Sequence, residues 1–178
     1  MAVTDYKTPA TCASVDLGNE DWADFNNAKV SDNAYASSAL PKLGGMSDWL
    51  RATNFDFSVI SSGATIDGIE VKIEHKAGLA SSVYDLNLYL RKTSGQVGSN
   101  KASASYWPTS DAEATYGGAT DKWGTTWLDT DIKSSNFGMD IEAVNGNADN
   151  AVTAYVDCIS IRIYYTEAVT FQPWAIIM

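Results

Sequence analysis

The chain is predicted to be all-β, an antiparallel β-sandwich (jelly roll) with extended N- and C-terminal arms. Three observations predict it. Several segments alternate apolar and polar side chains with a period of two, the mark of a strand with one buried face. Turn chemistry separates those segments at intervals of roughly 10–20 residues. No stretch keeps the spacing of an amphipathic helix, and no fixed-period repeat points to a solenoid or propeller.

Met1 to Leu43 is rich in Ala, Ser, Asn and Asp and holds neither period. Its scattered anchors include Val15, Trp22, Phe25, Tyr35 and Leu40. It reads as an extended arm, at most one edge strand, lying across the sandwich or a neighbour, and Pro41 and Gly44-Gly45 end it. Trp22, Phe25 and Tyr35 are the expected docking anchors of this arm. Leu50, Phe55, Phe57 and Val59 then mark a strand within Ser47–Val59. The clearest strand follows at Ile66–Glu74, where Ile69, Val71 and Ile73 alternate with Glu70, Lys72 and Glu74. In Tyr84–Arg91, Leu86, Leu88 and Leu90 alternate with Asp85, Asn87, Tyr89 and Arg91, and Thr93–Gln96 turns the chain.

The next stretch, Gly98 to Tyr116, is polar and small, with one strand expected around Ala102–Trp107 and ended by Pro108. A short aromatic strand is expected at Trp123–Leu128 after Gly117-Gly118. Phe137, Met139 and Ile141 define another strand, closed by the Asn/Asp/Gly run Asn145–Asn150. The last strand, Ala151–Tyr165, carries a defect. Val152, Ala154 and Val156 are apolar on even positions, whereas Ile159, Ile161 and Ile163 are apolar on odd ones. One regular strand cannot bury both sets on one face. An extra residue near Asp157, a β-bulge or sharp bend, restores them; the alternative is a strand covered on both faces in its middle.

Thr166 to Met178 leaves the sandwich and ends in an almost wholly apolar run. Phe171, Pro173, Trp174, Ile176, Ile177 and Met178 would be a hazard if bare. Such a run either adds a strand to its own core or docks on another subunit or protein, and Pro173 favours the docking arm. The expected organisation is therefore an N-terminal arm over 1–46, a sandwich over 47–165 and an apolar arm over 166–178.

Composition narrows the functions. The formal net charge is -10, with a pI near 4.3, which disfavours binding to phosphate backbones. Nucleic acid is not an expected partner, and with no run of about 20 apolar residues neither is a membrane. No signal-peptide-like run occurs in Met1–Asn19, so folding in a cytoplasm is expected. Cys12 lies in a polar leader and Cys158 in an apolar strand, and the two are expected as free thiols. Six Trp and nine Tyr are many for 178 residues; they fill a core, or some stack on sugars or a partner.

Catalytic patterns are thin. His75 is the only histidine, on the apolar parity at its strand's end, too little for a zinc site or a Ser-His-Asp triad. No P-loop or G-x-G-x-x-G is present. Asp129 with Asp131, and Asp140 with Glu142, have the i, i+2 spacing that puts both on one face of a strand, and they read as solvated acidic faces. The Asn145–Asn150 loop has oxygens for Ca²⁺ but lacks the EF-hand spacing and its Glu. No enzyme activity, metal or cofactor is expected.

Several stretches carry a family likeness: Phe55-Asp56-Phe57-Ser58, Ala64 to Val71, Asp85 to Leu90, Tyr116-Gly117-Gly118 with Trp123-Gly124, Asn136-Phe137-Gly138, and Val156 to Ile159 running into Tyr164-Tyr165. Over about Trp49 to Tyr165 the chain resembles small β-sandwich structural proteins of tailed bacteriophages. The resemblance implies a virion component assembled in the host cytoplasm: a capsid cement or decoration protein, or a neck or tail part. Its implied partners are the major capsid protein or another virion protein and further copies of itself, as a homo-oligomer with a trimer favoured. The alternative expectation is a carbohydrate-binding or receptor-binding jelly-roll module of a phage tail. For that reading Trp107, Tyr116, Trp123 and Trp127 are the expected sugar-stacking residues.

Overall fold

The computed structural model of the chain describes residues 1–169. Ten strands form two five-stranded sheets: β1 (Ala2–Val3), β2 (Pro9–Val15), β3 (Ala36–Leu40), β4 (Trp49–Phe55), β5 (Thr65–Ala77), β6 (Val83–Lys92), β7 (Gly95–Val97), β8 (Ala112–Gly117), β9 (Gly138–Asn145) and β10 (Val152–Thr166). The helical parts are a 3-10 turn at Phe25–Ala28 and a single α-turn, α1, at Asp129–Ile132.

Sheet A runs β1-β10-β5-β8, with β3 also paired to β10; sheet B runs β2-β4-β9-β6-β7. Neighbouring strands in both sheets are antiparallel. From β3 onward the chain crosses from one sheet to the other at nearly every connection, the β6–β7 hairpin excepted. β3-β10-β5-β8 thereby faces β4-β9-β6-β7, the winding of a jelly roll. The core lies between the sheets, where Leu50, Ile69, Ile73, Leu88, Leu90, Ile141, Ile159 and Ile161 are fully buried.

The N-terminal residues are not a free arm. β2 is an edge strand of sheet B, while β1, Lys7, Lys29 and β3 bond in turn along the outer edge of β10. Short contacts broken by loops leave no steady period, which is why the sequence shows none here. The anchors Trp22, Phe25 and Tyr35 serve this chain. Trp22 is buried and its indole N–H donates to the Asp48 carbonyl at 2.9 Å. Phe25 packs against the core, and Tyr35 meets Tyr155 edge-on and donates to Asp111 at 2.6 Å.

The register of β10 shifts between Val156 and Cys158, at the expected place. The extra residue, Asp157, is buried and its carboxylate accepts from the Asp32 and Asn33 amides, so the bulge also holds a loop. A second bulge, between Asp85 and Asn87 of β6, corrects the sequence reading. Leu88 and Leu90 face the core, but Asp85 is turned inward and Leu86 is half-exposed. The strands expected at Ala102–Trp107 and Trp123–Leu128 are irregular, and the short β8 lies between them. Cys12 and Cys158 are free; burial pushes their thiols up to about 12 and about 11, so neither is a thiolate at neutral pH.

Candidate functional site

On sheet B alternation sends Leu50, Leu88, Leu90, Met139 and Ile141 into the core and their neighbours outward. The outward set is Trp49 and Arg51 from β4, Asn87, Tyr89 and Arg91 from β6, Gln96 from β7, and Asp140 and Glu142 from the central β9. A central strand between two long neighbours keeps its own side chains at the bottom of the face. Asp140 is accordingly fully buried.

Arg51 grips Asp140 with two bonds, Nε to Oδ1 at 2.8 Å and Nη2 to Oδ2 at 3.2 Å. Arg91 Nη1 adds a bond to Oδ2 at 3.1 Å, and Gln96 Nε2 another at 2.9 Å. Two cations and an amide on one carboxylate make a rigid polar floor. Beside it Glu142 accepts from Asn87 Nδ2 at 2.7 Å and from Asn19 Nδ2 at 3.4 Å. Burial raises the Glu142 carboxyl above its ordinary value; the Asn87 amide opposes this and the Asp48 charge adds to it. The expectation of a solvated acidic face at Asp140 and Glu142 is thus overturned. Asp129 and Asp131 instead sit on α1, paired with Lys133 and Lys92.

Above the floor stand two half-buried aromatic rings, Trp49 and Tyr89, 6.3 Å apart and edge-to-face at 69°. Among the described residues no cation lies over either ring, although Arg51 and Arg91 are on the same face. Arg51, Asn87 and Arg91 are half-buried too, so their outer sides are open to solvent. The face therefore offers flat apolar surface beside hydrogen-bonding groups held in fixed positions. It suits a ligand with apolar faces and hydroxyl edges.

The sequence placed the stacking residues elsewhere, and the structure corrects this. Trp107, Tyr116, Trp123 and Trp127 are all buried and present no open ring face. Their polar atoms point inward: Trp107 Nε1 and Tyr116 Oη donate to Asp85 at 2.7 and 2.8 Å. Trp123 Nε1 donates to the Ile69 carbonyl and Trp127 Nε1 to that of Lys122. Gly117, at φ +77°, makes room for this plug, since a Cβ there would strike the Ile69 carbonyl and the Trp123 indole. These loops run along the edge between the two sheets and turn their aromatics inward, so those aromatics are core. Trp49 and Tyr89 were missed because they lie far apart in the chain and come together only when β4 and β6 flank β9; their outward parity beside Leu50, Leu88 and Leu90 was the available signal. Phe171, Pro173, Trp174, Ile176, Ile177 and Met178 lie outside the described residues. Among those described, no group of three His, Cys, Asp or Glu side chains is placed to hold a metal ion, and no helix is long and apolar enough to cross a membrane.

No protein-family model matches the chain, and no curated protein matches it. Solved structures with a similar course of chain include carbohydrate-binding modules. One is a CBM4 structure, at 10% identity over 75% of this chain and 87% of that one, with a TM-score of 0.45. Another is the CBM22-1 xylan-binding domain from Paenibacillus barcinonensis Xyn10C, at 10% identity over 93% and 97%, with a TM-score of 0.43. A third is the N-terminal cellulose-binding domain of Cellulomonas fimi β-1,4-glucanase C, at 11% identity over 90% and 89%, with a TM-score of 0.38. At such identities and scores the likeness carries no argument about a ligand, which has to come from the geometry of this face.

Proposed function

We propose that this protein is a non-catalytic glycan-binding module that holds a neutral oligosaccharide on the outer face of sheet B. One observation carries the reading: Trp49 and Tyr89 keep their rings free of cations above the Arg51, Arg91 and Gln96 side chains that are fixed on buried Asp140. Sugar rings stack their C–H faces on such rings, and their hydroxyls bond to the fixed donors and acceptors below. Arg51 and Arg91 already balance the Asp140 carboxylate, so a bound sugar need not supply a charge. Oligosaccharides from xylan and cellulose are the first probes, within a broad glycan panel.

The test is titration followed by tryptophan fluorescence and calorimetry, with Trp49→Ala in parallel. Saturable binding by at least one oligosaccharide, weakened tenfold or more in Trp49→Ala, is expected. No binding across the panel by the folded protein overturns the reading. The capsid-clamping reading drew on two arms, and residues 1–46 are taken up in this chain's own sheets. Docking on a virion or other partner now rests on Phe171–Met178 alone. Deleting residues 170–178 and measuring occupancy on particles tests that role separately.

A further inference from the structure

At one side the two sheets are not zipped together. β8 ends sheet A with a free edge, and across from it residues 100–107 run irregularly along β6 of sheet B. The Lys101 amide bonds to the Leu88 carbonyl at 2.9 Å and that of Trp107 to the Val83 carbonyl at 2.7 Å. Between β8 and this segment lies a cleft of about 570 Å³, within the size range of small-molecule sites. His75, Ser103, Ser105, Tyr106, Trp107 and Thr115 are among its walls, and Tyr106 is half exposed.

His75 is the anomaly of the cleft. Its ring lies flat on Trp107, centroids 4.2 Å apart, and the residue is only 4% exposed. Neither ring nitrogen has a hydrogen-bond partner within the protein. A buried polar group left unpaired lowers stability, and natural folds seldom leave one without a use. The surrounding charges are already spent. Asp85 accepts from Trp107, Tyr116 and the Ser103 amide; Lys101 is paired with Asp121, and Glu113 with Lys72.

We propose that this cleft is a second ligand site, separate from the sheet B face, that takes a single neutral sugar ring or similar small polyol. A charged ligand finds no free counter-charge here. Neutral imidazole has one N–H donor and one bare nitrogen, the complement of hydroxyls that both donate and accept. Burial keeps the imidazole in that form by lowering its affinity for a proton, the Asp85 charge opposing. The serines and Thr115 add hydroxyl partners; both imidazole nitrogens are covered in the free protein, so binding requires the wall at Ser105 and Tyr106 to move outward.

The chain's single histidine makes the test direct. The full protein, labelled with ¹⁵N in its imidazole, is titrated with D-glucose, D-xylose, D-galactose and glycerol while the ring nitrogen signals are followed by NMR. A saturable shift with at least one of them is expected. His75→Phe, which keeps a flat ring on Trp107, should bind the same probe at least tenfold more weakly by calorimetry. Trp49→Ala should leave the shift in place. Ring signals that no probe moves, or a shift that vanishes in Trp49→Ala, overturn the proposal. The first outcome leaves oligosaccharide binding on sheet B untouched, so the two sites fail separately.

Discussion

On the outer face of sheet A, Arg162 lies over the rings of Tyr6 and Tyr164 at 4.6 and 5.1 Å, and Lys72 also covers Tyr6 at 4.8 Å. Further along, Lys76 sits 3.7 Å above Tyr35. Glu70 closes the first cluster, accepting from both tyrosine hydroxyls and from Arg162. Sheet B uses the same residue types differently. Its cations point down onto Asp140, and Trp49 and Tyr89 stay uncovered. The difference is one of depth. Where the carboxylate sits on the fully buried central β9, the arginines must reach inward to satisfy it and cannot also cover the rings. Where it sits at Glu70 beside half-buried tyrosines, cation, ring and carboxylate meet in one layer. Sheet A is closed on itself; sheet B keeps its two rings uncovered.

The largest effect expected from this contrast is on stability. Asp140→Ala leaves two arginines aimed at a buried vacancy and should cost roughly 3 kcal/mol, read from urea unfolding at neutral pH. Glu70→Ala should cost less, because it strands a single arginine that can turn to water, whereas Arg91 beside Asp140 is only 12% exposed. The opposite order would break the account of depth. Next comes binding. Trp49→Ala should weaken an oligosaccharide at least tenfold, about 1.4 kcal/mol, while Tyr164→Ala leaves its affinity unchanged. Equal losses would show that both faces bind, or neither.

How much of this was legible in the sequence depended on whether a residue's partner was near in the chain. Alternation marked Ile69, Val71 and Ile73 as core, and the parity break around Asp157 located the bulge of β10. Both follow from side-chain direction along one strand. The inward turn of Asp85 did not, because its donors Trp107 and Tyr116 lie 22 and 31 residues away and the leucine alternation beside it looked unbroken. Asp140 and Glu142 misled for the same reason. Spacing put them on one face but could not say that Arg51 and Arg91 flank that face. The N-terminal strands were hidden because each lends only a few residues to a long partner.

A third prediction separates the cleft from both faces. His75 stays neutral when folded and takes up a proton more readily when unfolded. The unfolded chain therefore binds more protons below the ordinary histidine range, and stability falls as pH drops through that range toward the lower folded value. His75→Phe should flatten that part of the urea midpoint against pH curve. An unchanged slope would show that the imbalance lies elsewhere.

The smallest effect expected comes from Glu142, where the sign reverses. Its folded carboxyl is raised by burial, so between the ordinary glutamate value and the folded one the native state holds the extra proton. That contribution strengthens the fold as pH falls and weakens it as pH rises through the same window. Glu142→Gln keeps an acceptor for Asn87 and removes the charge near Asp48, so it should cancel this slope with little change in stability at neutral pH. Oligosaccharide affinity measured across the acid range sharpens the contrast between the faces. If Glu142 lies under the bound sugar, the wild-type affinity varies with pH there and that of Glu142→Gln does not. Identical profiles would place the sugar on the Trp49–Tyr89–Arg51 side of the face, away from Asn87 and Glu142.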